Sequence, residues 1–270
     1  MGADEQMERG LVKTSMGYIH YRAAGSGNAV VLLHINQQSS ALYLELMEVL
    51  KPRVRAVAID YPSHGMSDHI TFQPTIADYA RCVVEVLDAL GIERASLLGE
   101  AVGAAVAIEL AGAFPERVER LVLVNCPYYR DRAVAERSRS QMKDTLRPAD
   151  ASGFPTTRTL EFVLEHDAIH APMQPSQSWM DRINVAQIEV GRDRWQALGA
   201  LHAYDIPANL GRVARPVLLL MGEHFQYTPF RHELTARIKD VQSDEIEGGR
   251  FCMTWEHAEE IGRRTLGFLQ

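Results

Sequence analysis

Long apolar runs are missing from this sequence. No stretch approaches the roughly 18 uninterrupted apolar residues that a membrane-spanning helix needs. The first ten residues, MGADEQMERG, are polar and acidic, whereas a signal peptide begins basic and continues apolar. An excess of basic residues is missing too: 28 basic against 35 acidic residues give a net charge of -7, which argues against nucleic acid and anionic membranes as partners. We therefore expect a cytoplasmic protein.

Cysteine is also scarce. Cys82, Cys126 and Cys252 are odd in number, widely spaced and without a C-x-x-C pair, so we expect reduced thiols and neither a disulfide framework nor a zinc site. The sequence has no phosphate-binding loop, dinucleotide fingerprint or cluster of metal ligands, so we expect no cofactor and no metal. A small molecule is the expected partner. A homodimer is compatible with the sequence, which does not determine the oligomeric state.

What is present is an alternation of short apolar runs with segments of helical period. This pattern is typical of an α/β protein with a doubly wound, mostly parallel sheet. A length of 270 residues is enough for one such domain with a full hydrophobic core. The predicted strands are residues 18–24, 30–34, 54–60, 95–99, 121–125, 217–222 and 242–246. The predicted helices are residues 41–50, 76–90, 102–114, 230–239 and 255–269.

Residues 128–211 interrupt this alternation. They are rich in arginine, aspartate, methionine, tryptophan and proline, and they contain segments of helical period but no convincing strand. We interpret this region as a helical lid. It is inserted between two parts of the α/β core, which are residues 1–127 and 212–270.

The most informative segment is residues 96–105, SLLGEAVGAA, where a predicted strand passes into a helix of small residues. Gly99 and Gly103 allow strand and helix to approach closely around a sharp turn, with the spacing of a nucleophile elbow, G-x-Nuc-x-G. The central position, whose side chain attacks the substrate in a hydrolase elbow, is Ala101. A methyl group neither attacks a carbonyl nor holds a proton.

Further segments, in the same order, give the chain a resemblance to the α/β-hydrolase-fold family over nearly its whole length. Residues 30–34, VVLLH, are similar to the strand that ends in the family's H-G motif. Residues 59–68, IDYPSHGMSD, are similar to its D-x-P-G-H-G-x-S-D turn, and residues 113–118, AFPERV, to the link after the elbow helix. Residues 218–223, LLLMGE, resemble the strand before the triad acid, and residues 247–251, EGGRF, the G-G-H-F stretch that presents the triad histidine.

The chain departs from this family at all three triad positions. By the resemblance, Ala101 stands at the nucleophile position, Phe225 at the acid position and Arg250 at the histidine position. A substitution made to trap a ligand would leave the acid and the histidine intact, so the triple replacement indicates a natural difference. Because removing the nucleophile or the histidine of a serine hydrolase costs about 10⁶ in rate, hydrolysis by the triad route is not expected.

The resemblance also implies an oxyanion hole, whose backbone N–H groups do not depend on the replaced side chains. It places one donor at Val102 and another at Ile35 or Asn36. Two such donors stabilise an enolate or an alkoxide as readily as a tetrahedral intermediate. If Arg250 points into the pocket, its guanidinium is a fixed cation for a carboxylate or an enolate; the alternative is an ion pair with a glutamate at the rim.

The remaining candidates each have a structural and a functional interpretation. His34 is either a buried hydrogen-bonding residue or a group that transfers protons or orients the substrate. The amide of Asn36 is a candidate supplement to the backbone donors. Glu100 is either structural or a general base, and Cys126 is either an inert thiol or a nucleophile that needs a basic neighbour. Phe225 either packs under the lid or contacts the ligand.

These observations predict a cofactor-free, lyase-like enzyme of the decarboxylase, carbon–carbon lyase or cyclase type, acting on a small, partly apolar molecule that contains oxygen. By the resemblance, the superfamily includes non-hydrolytic members, among them decarboxylases with alanine at the nucleophile position. The retained elbow favours an enzyme over the first alternative, a non-catalytic binding protein. A hydrolase with an unrecognised nucleophile is the second alternative. The predicted catalytic residues are Arg250, His34 and Asn36, and the predicted substrate-binding residues are Ile35, Glu100, Ala101, Val102, Cys126 and Phe225.

Overall fold

Residues 7–128, 177–193 and 195–270 are described by the computed structural model of the chain, and they form one sheet of eight strands with helices packed against it. The strands are β1 Glu8–Thr14, β2 Gly17–Ala24, β3 Ala29–Leu33, β4 Arg55–Ile59, β5 Ala95–Glu100, β6 Val118–Val124, β7 Val217–Gly222 and β8 Val241–Ile246. The helices are α1 Leu44–Leu50, α2 Ile76–Ala89, α3 Val102–Ala113, α4 Gln177–Val190, α5 Gln196–His202, α6 Ile206–Leu210, α7 Arg231–Thr235, α8 Met253–Glu256 and α9 Ala258–Leu269. Short 3₁₀ turns occupy Ser40–Tyr43, Pro115–Arg117, Gly191–Asp193 and Thr228–Phe230.

The strand order across the sheet is β1-β2-β4-β3-β5-β6-β7-β8. The first two pairings, β1 with β2 and β2 with β4, are antiparallel, and every other neighbouring pair is parallel. In the centre, Leu33 of β3 lies opposite Ile59 of β4 and Gly99 of β5. Because the carboxyl ends of parallel strands meet at one edge, the loops after β3, β5, β6, β7 and β8 converge there, where open α/β sheets bind ligands.

Alternate residues of the central strands face two separate cores. Val31 and Leu33 of β3 belong to a cluster with α2 and α3, whereas Val30 and Leu32 belong to a second cluster with α1 and α9. The strands are therefore apolar on both faces, as expected of a parallel sheet that is covered by helices on each side. The predicted doubly wound, mostly parallel α/β sheet is confirmed.

All seven predicted strands are present, and β1 was not predicted. It is an edge strand in which only Val12 is buried, so it lacks the apolar run that identifies the central strands. The helix predicted at residues 230–239 is shorter, Arg231–Thr235, and follows a 3₁₀ turn. In the described segments, no helix is both long enough and apolar enough to cross a membrane.

Between β6 and β7, the described residues 177–193 and 195–211 contain helices and a 3₁₀ turn but no strand. This agrees with the helical character predicted for the inserted region. Residues 129–176, on which much of that prediction falls, lie outside the described residues, so the boundaries of the lid stay a prediction.

Candidate functional site

Ala101 lies at the sharp turn between β5 and α3, at the carboxyl edge of the sheet. Its backbone angles, φ 51° and ψ −106°, are in a region that residues with a Cβ rarely adopt. Glycine makes the turn possible: a Cβ at Gly99 would lie 2.2 Å from the carbonyl oxygen of Gly103, and a Cβ at Gly103 would lie 1.8 Å from that of Leu33. The turn therefore has the geometry of an elbow, with a methyl group at its tip.

Unpaired backbone N–H groups lie on both sides of this turn. Val102 is the first residue of α3, and its N–H has no acceptor among the described residues. In the loop after β3, residues 34–38, which we call the β3 loop, the N–H groups of Ile35 and Asn36 also lack an acceptor in the described part of the chain. Gly103 of α3 packs against the carbonyl group of Leu33 at the end of β3, so both sets of donors belong to the same edge of the sheet. The positive end of the α3 dipole adds to their attraction for an anion.

Asn125, at the end of β6, joins three loops of this edge. Its Nδ2 donates to Oε1 of Glu100 at 3.3 Å and to the carbonyl oxygen of Arg250 at 2.8 Å. Its Oδ1 accepts the N–H of Gly222 at 2.9 Å. The residue has φ 46°, in the left-handed region that asparagine tolerates better than most side chains. The elbow, the end of β7 and the loop before α8 are thereby held in fixed positions relative to one another.

Glu100, immediately before the elbow, uses its carboxylate to hold α8. It accepts the N–H of Met253 at 2.9 Å and both the N–H and the hydroxyl of Thr254, and it is almost fully buried. Burial raises the pKa of Glu100, and the hydrogen bonds from Thr254 and Met253 oppose that change. This geometry favours the structural interpretation of Glu100 over general-base catalysis.

Both ring nitrogens of His34 are occupied. Nδ1 lies 2.7 Å from the carbonyl oxygen of Ile35 and donates to it, and Nε2 accepts the N–H of Tyr61 at 3.1 Å. Burial lowers the pKa of His34 to about 3, so the ring is neutral at physiological pH. His34 therefore holds the β3 loop against the loop after β4, and this arrangement favours the hydrogen-bonding interpretation over proton transfer.

Phe225 and Arg250 lie in the loops after β7 and β8. The ring of Phe225 is buried, with its centroid 5.5 Å from that of Tyr227 and 6.0 Å from that of Phe251, which favours packing. The side chain of Arg250 is 16% exposed, and its Nε lies 3.9 Å from a carboxylate oxygen of Glu256. The rim ion pair is thus present, while the hydrogen bond from Asn125 keeps the backbone of Arg250 close to the elbow.

Cys126 is fully buried at the end of β6, and its Sγ lies 3.7 Å from the carbonyl oxygen of Pro127. Burial raises the pKa of Cys126 to about 12, so the thiol stays protonated near neutral pH. Iodoacetamide is therefore expected to leave Cys126 unlabelled in the native protein during a time that labels the urea-unfolded protein fully, as peptide mass spectrometry will measure. Cys82, whose pKa burial also raises to about 12, is the internal control. Labelling of native Cys126 at the rate of an unfolded cysteine would contradict an inert thiol.

Helix α4 covers this edge of the sheet. Ile183 of α4 is buried in the same cluster as Ala101. Arg182 donates two hydrogen bonds of 2.7 Å to Glu45 of α1, and its guanidinium carbon lies 4.2 Å from the ring centroid of Trp255. These contacts join α4 to the core. Among the described residues, no three histidine, cysteine, aspartate or glutamate side chains are grouped so that they could hold a metal ion.

The sheet order, the elbow and the loops at the carboxyl edge allow a direct comparison with known families. The family model described as the alpha/beta hydrolase fold matches residues 28–235. The chain belongs to the α/β-hydrolase family. The family resemblance predicted from the sequence is thereby confirmed.

Relatives of this α/β-hydrolase include enzymes of named activity. It is 26% identical over 261 residues to 2-hydroxy-6-oxo-6-phenylhexa-2,4-dienoate hydrolase of Comamonas testosteroni, covering 93% of this chain and 91% of the relative. It is 29% identical over 219 residues to haloalkane dehalogenase 2 of Mycobacterium tuberculosis, covering 77% of this chain and 75% of the relative. A solved hydrolase from Pseudomonas aeruginosa has a TM-score of 0.83 at 22% identity, covering 99% of both chains, which shows the shared fold alone.

Two residues of the site have little or no signal in the sequence. Asn125 is visible only as an amide at the end of a predicted strand, and its three partners come from loops far apart in the chain. Gln187 of α4 donates from Nε2 to Oε1 of Gln37 in the β3 loop at 2.5 Å. A glutamine within a helical segment gives no indication of such a distant partner.

Proposed function

We propose that this α/β-hydrolase is a lyase-type enzyme that stabilises an enolate in its oxyanion hole and forms no covalent intermediate. One observation carries the proposal: the strained turn and its unpaired N–H donors are retained around Ala101, a residue with no reactive atom. A strained backbone persists only where its surroundings hold it, at a cost of about 1–3 kcal/mol. The donors that this strain positions are the groups that an enolate-forming reaction uses.

The side chains that hydrolysis through a catalytic triad requires are not found at the triad positions. Ala101 has no nucleophilic atom, Phe225 packs among aromatic rings, and Arg250 stands at the histidine position. The buried His34 does not replace that histidine, because both of its ring nitrogens are bonded. We therefore interpret the triad as lost. The oxyanion donors alone support reactions in which negative charge develops on an oxygen without attack by a serine.

Decarboxylation of a β-keto acid is the reaction that these groups suit best. The bond between the carboxylate carbon and the α-carbon breaks and carbon dioxide leaves. The electron pair of that bond forms the carbon–carbon double bond of the enolate, while the π pair of the ketone moves to its oxygen. Water then protonates the α-carbon, and the hydroxide that remains combines with carbon dioxide to give bicarbonate. The N–H groups of Val102 and of Ile35 or Asn36 would donate to the enolate oxygen. The guanidinium of Arg250, which lies 3.9 Å from Glu256 without a substrate, would turn towards the enolate and add its positive charge. Removal of one such donor typically costs about 10²–10³ in rate.

The surroundings of the elbow favour a small substrate that is partly apolar. Ile183 and Ala101 belong to one apolar cluster, whereas the side-chain oxygen of Asn36 is buried without a hydrogen-bond partner among the described residues. A hydroxyl group on the substrate would satisfy that oxygen. The substrate named for the Comamonas testosteroni relative, with its hydroxy, oxo and phenyl groups and its carboxylate, belongs to the same chemical class.

Benzoylacetate, a partly apolar β-keto acid, tests this proposal. We expect the purified protein to release carbon dioxide from it with saturable kinetics, and Arg250→Ala to lower kcat by about 10²–10³, because a charge that stabilises the enolate is lost. Arg250→Lys should retain part of the rate, since it keeps the charge but not the planar fork. Arg263→Ala, which removes an exposed arginine of α9, is the matched control.

A second assay, with p-nitrophenyl esters as substrates, tests whether the protein hydrolyses esters. Rapid, saturable ester turnover would refute the lost triad. Binding of benzoylacetate with no release of carbon dioxide would instead support the alternative of a non-catalytic binding protein, which would use the same residues to hold its ligand.

A further inference from the structure

We propose that Gln187 of α4 is a positioning residue that holds the oxyanion donors of the β3 loop in place through Gln37. The inference rests on the proposed function, because it concerns the same donors. It assigns to the covering helix a direct part in the geometry of the site.

The contact between the two glutamines is close, and it joins a buried side chain to a half-buried one. Gln187 is only 2% exposed, and its Nε2 donates to Oε1 of Gln37 at 2.5 Å. A hydrogen bond between amides in a buried position is electrostatically stronger than one in water. Removing Gln37 leaves the buried amide of Gln187 without its bond, which costs about 1–3 kcal/mol.

Gln37 has a backbone conformation that needs such a constraint. Its φ of 61° lies in the left-handed region, which a residue with a Cβ adopts at a cost of about 1–2 kcal/mol. Gln37 immediately follows Asn36, so its conformation sets the direction of the turn that carries the N–H groups of Ile35 and Asn36. A side-chain bond that holds Gln37 therefore also fixes the donors.

Gln187 lies on a helix that side-chain contacts join to the core. Two hydrogen bonds join Arg182 to Glu45, the Arg182 guanidinium lies over Trp255, and Ile183 is buried in the apolar cluster that includes Ala101. Gln187 follows Ile183 by one turn of the helix, so it extends the same buried face. Ile188, the next residue, is 60% exposed and lies on the other face, which makes it the matched control.

The test is a double-mutant cycle with two measurements. The variants are Gln187→Ala, Gln37→Ala, the pair of both, and the control Ile188→Ala. The first measurement is the NMR order parameter of the backbone N–H groups of Asn36 and Gln37 in the protein without ligand. We expect about 0.85 in the natural protein and in the control, and less than about 0.6 in each single variant. The double variant should be no lower, because both changes remove one interaction.

The second measurement is the decarboxylation of benzoylacetate. Both single variants should lower kcat about tenfold with KM nearly unchanged, because misdirected donors weaken transition-state stabilisation more than substrate binding. Gln37→Glu should keep the order parameter and the rate, since a carboxylate still accepts the amide N–H of Gln187. If the natural protein does not decarboxylate the substrate, the proposed function fails, and the order parameters still decide this inference.

Three results would overturn the role of Gln187. One is an unchanged order parameter in Gln187→Ala. Another is an additive fall in the double variant, which would mean that the two residues act independently. The third is an equal fall in Ile188→Ala, which would assign the effect to general loosening of α4.

Discussion

Replacing Gly103 by alanine is expected to lower the free energy of unfolding by about 3 kcal/mol or more. The new Cβ would lie 1.8 Å from the carbonyl oxygen of Leu33 and 2.6 Å from its carbonyl carbon. Both atoms belong to the backbone of the central strand β3, so neither can move aside as a flexible side chain does. The start of α3 must therefore shift away from the sheet, and overpacking against an element of this kind is among the costlier single changes.

Gly112, near the end of the same helix, is the matched control. The three atoms nearest to a Cβ there all belong to the side chain of Arg212, at 3.4 Å or more, which is an ordinary contact distance. Gly112→Ala should keep or raise the stability by up to about 1 kcal/mol, because alanine is the better helix former. Thermal unfolding followed by circular dichroism should place Gly103→Ala about 6–12 °C below the natural protein. Equal melting temperatures for the two variants would contradict the close approach of α3 to β3.

Replacing Asp60 by asparagine should lower the free energy of unfolding at neutral pH by about 3–5 kcal/mol. Asp60 is almost fully buried after β4, and its carboxylate lies 2.8 Å from Nδ1 of His20 and accepts the N–H groups of Met66 and Ser40. An asparagine of the same shape presents an NH₂ group to one of these donors. The loss should appear as a lower midpoint in urea unfolding, while Asp88→Asn, at a largely exposed position, should stay within about 0.5 kcal/mol of the natural protein.

The ionisation of the Asp60 carboxylate makes the free energy of unfolding depend on pH. Burial raises the pKa of Asp60, but the hydrogen bonds from His20, Met66 and Ser40 outweigh it and lower that pKa from 3.8 to about 2. Because the folded-state pKa lies below the unfolded one, Asp60 contributes about 2 kcal/mol above about pH 4, and this contribution is lost as the pH falls through about 2. Urea titrations from neutral to acid pH should thus show the gap between the natural protein and Asp60→Asn narrowing. A gap that stays constant with pH would contradict the lowered pKa.

Most of the sheet could be predicted from the sequence because its central strands are covered on both faces and read as continuous apolar runs, as in Val30–Leu33 and Val217–Leu220. The elbow could be predicted because close approach of backbone needs glycine at fixed spacing, and Gly99 and Gly103 meet that need. Strand β1 could not be predicted, because it is an exposed edge strand without an apolar pattern of its own. Its backbone pairing with β2 stabilises it instead.

The side-chain hydrogen bonds of the site could not be predicted from the sequence, for a different reason. The sequence identifies His34 as a histidine, and a histidine can either hold a loop by hydrogen bonds or transfer protons. Only the positions of Ile35 and Tyr61 in the fold show that both ring nitrogens are used in hydrogen bonds. The three bonds of Asn125 likewise depend on the convergence of loops after different strands. Residue type and spacing identify such positions as candidates, and tertiary contacts assign the role.

The backbone at Ala101 has a consequence for protein engineering. Alanine already carries the Cβ that serine, cysteine or aspartate would place at the same point, so the main chain need not change to accept a reactive atom there. A general base that activates this atom is harder to provide, because both ring nitrogens of His34 are already used in hydrogen bonds. Converting this scaffold to a covalent catalyst would thus begin with a newly introduced base, and the choice of attacking group would come second.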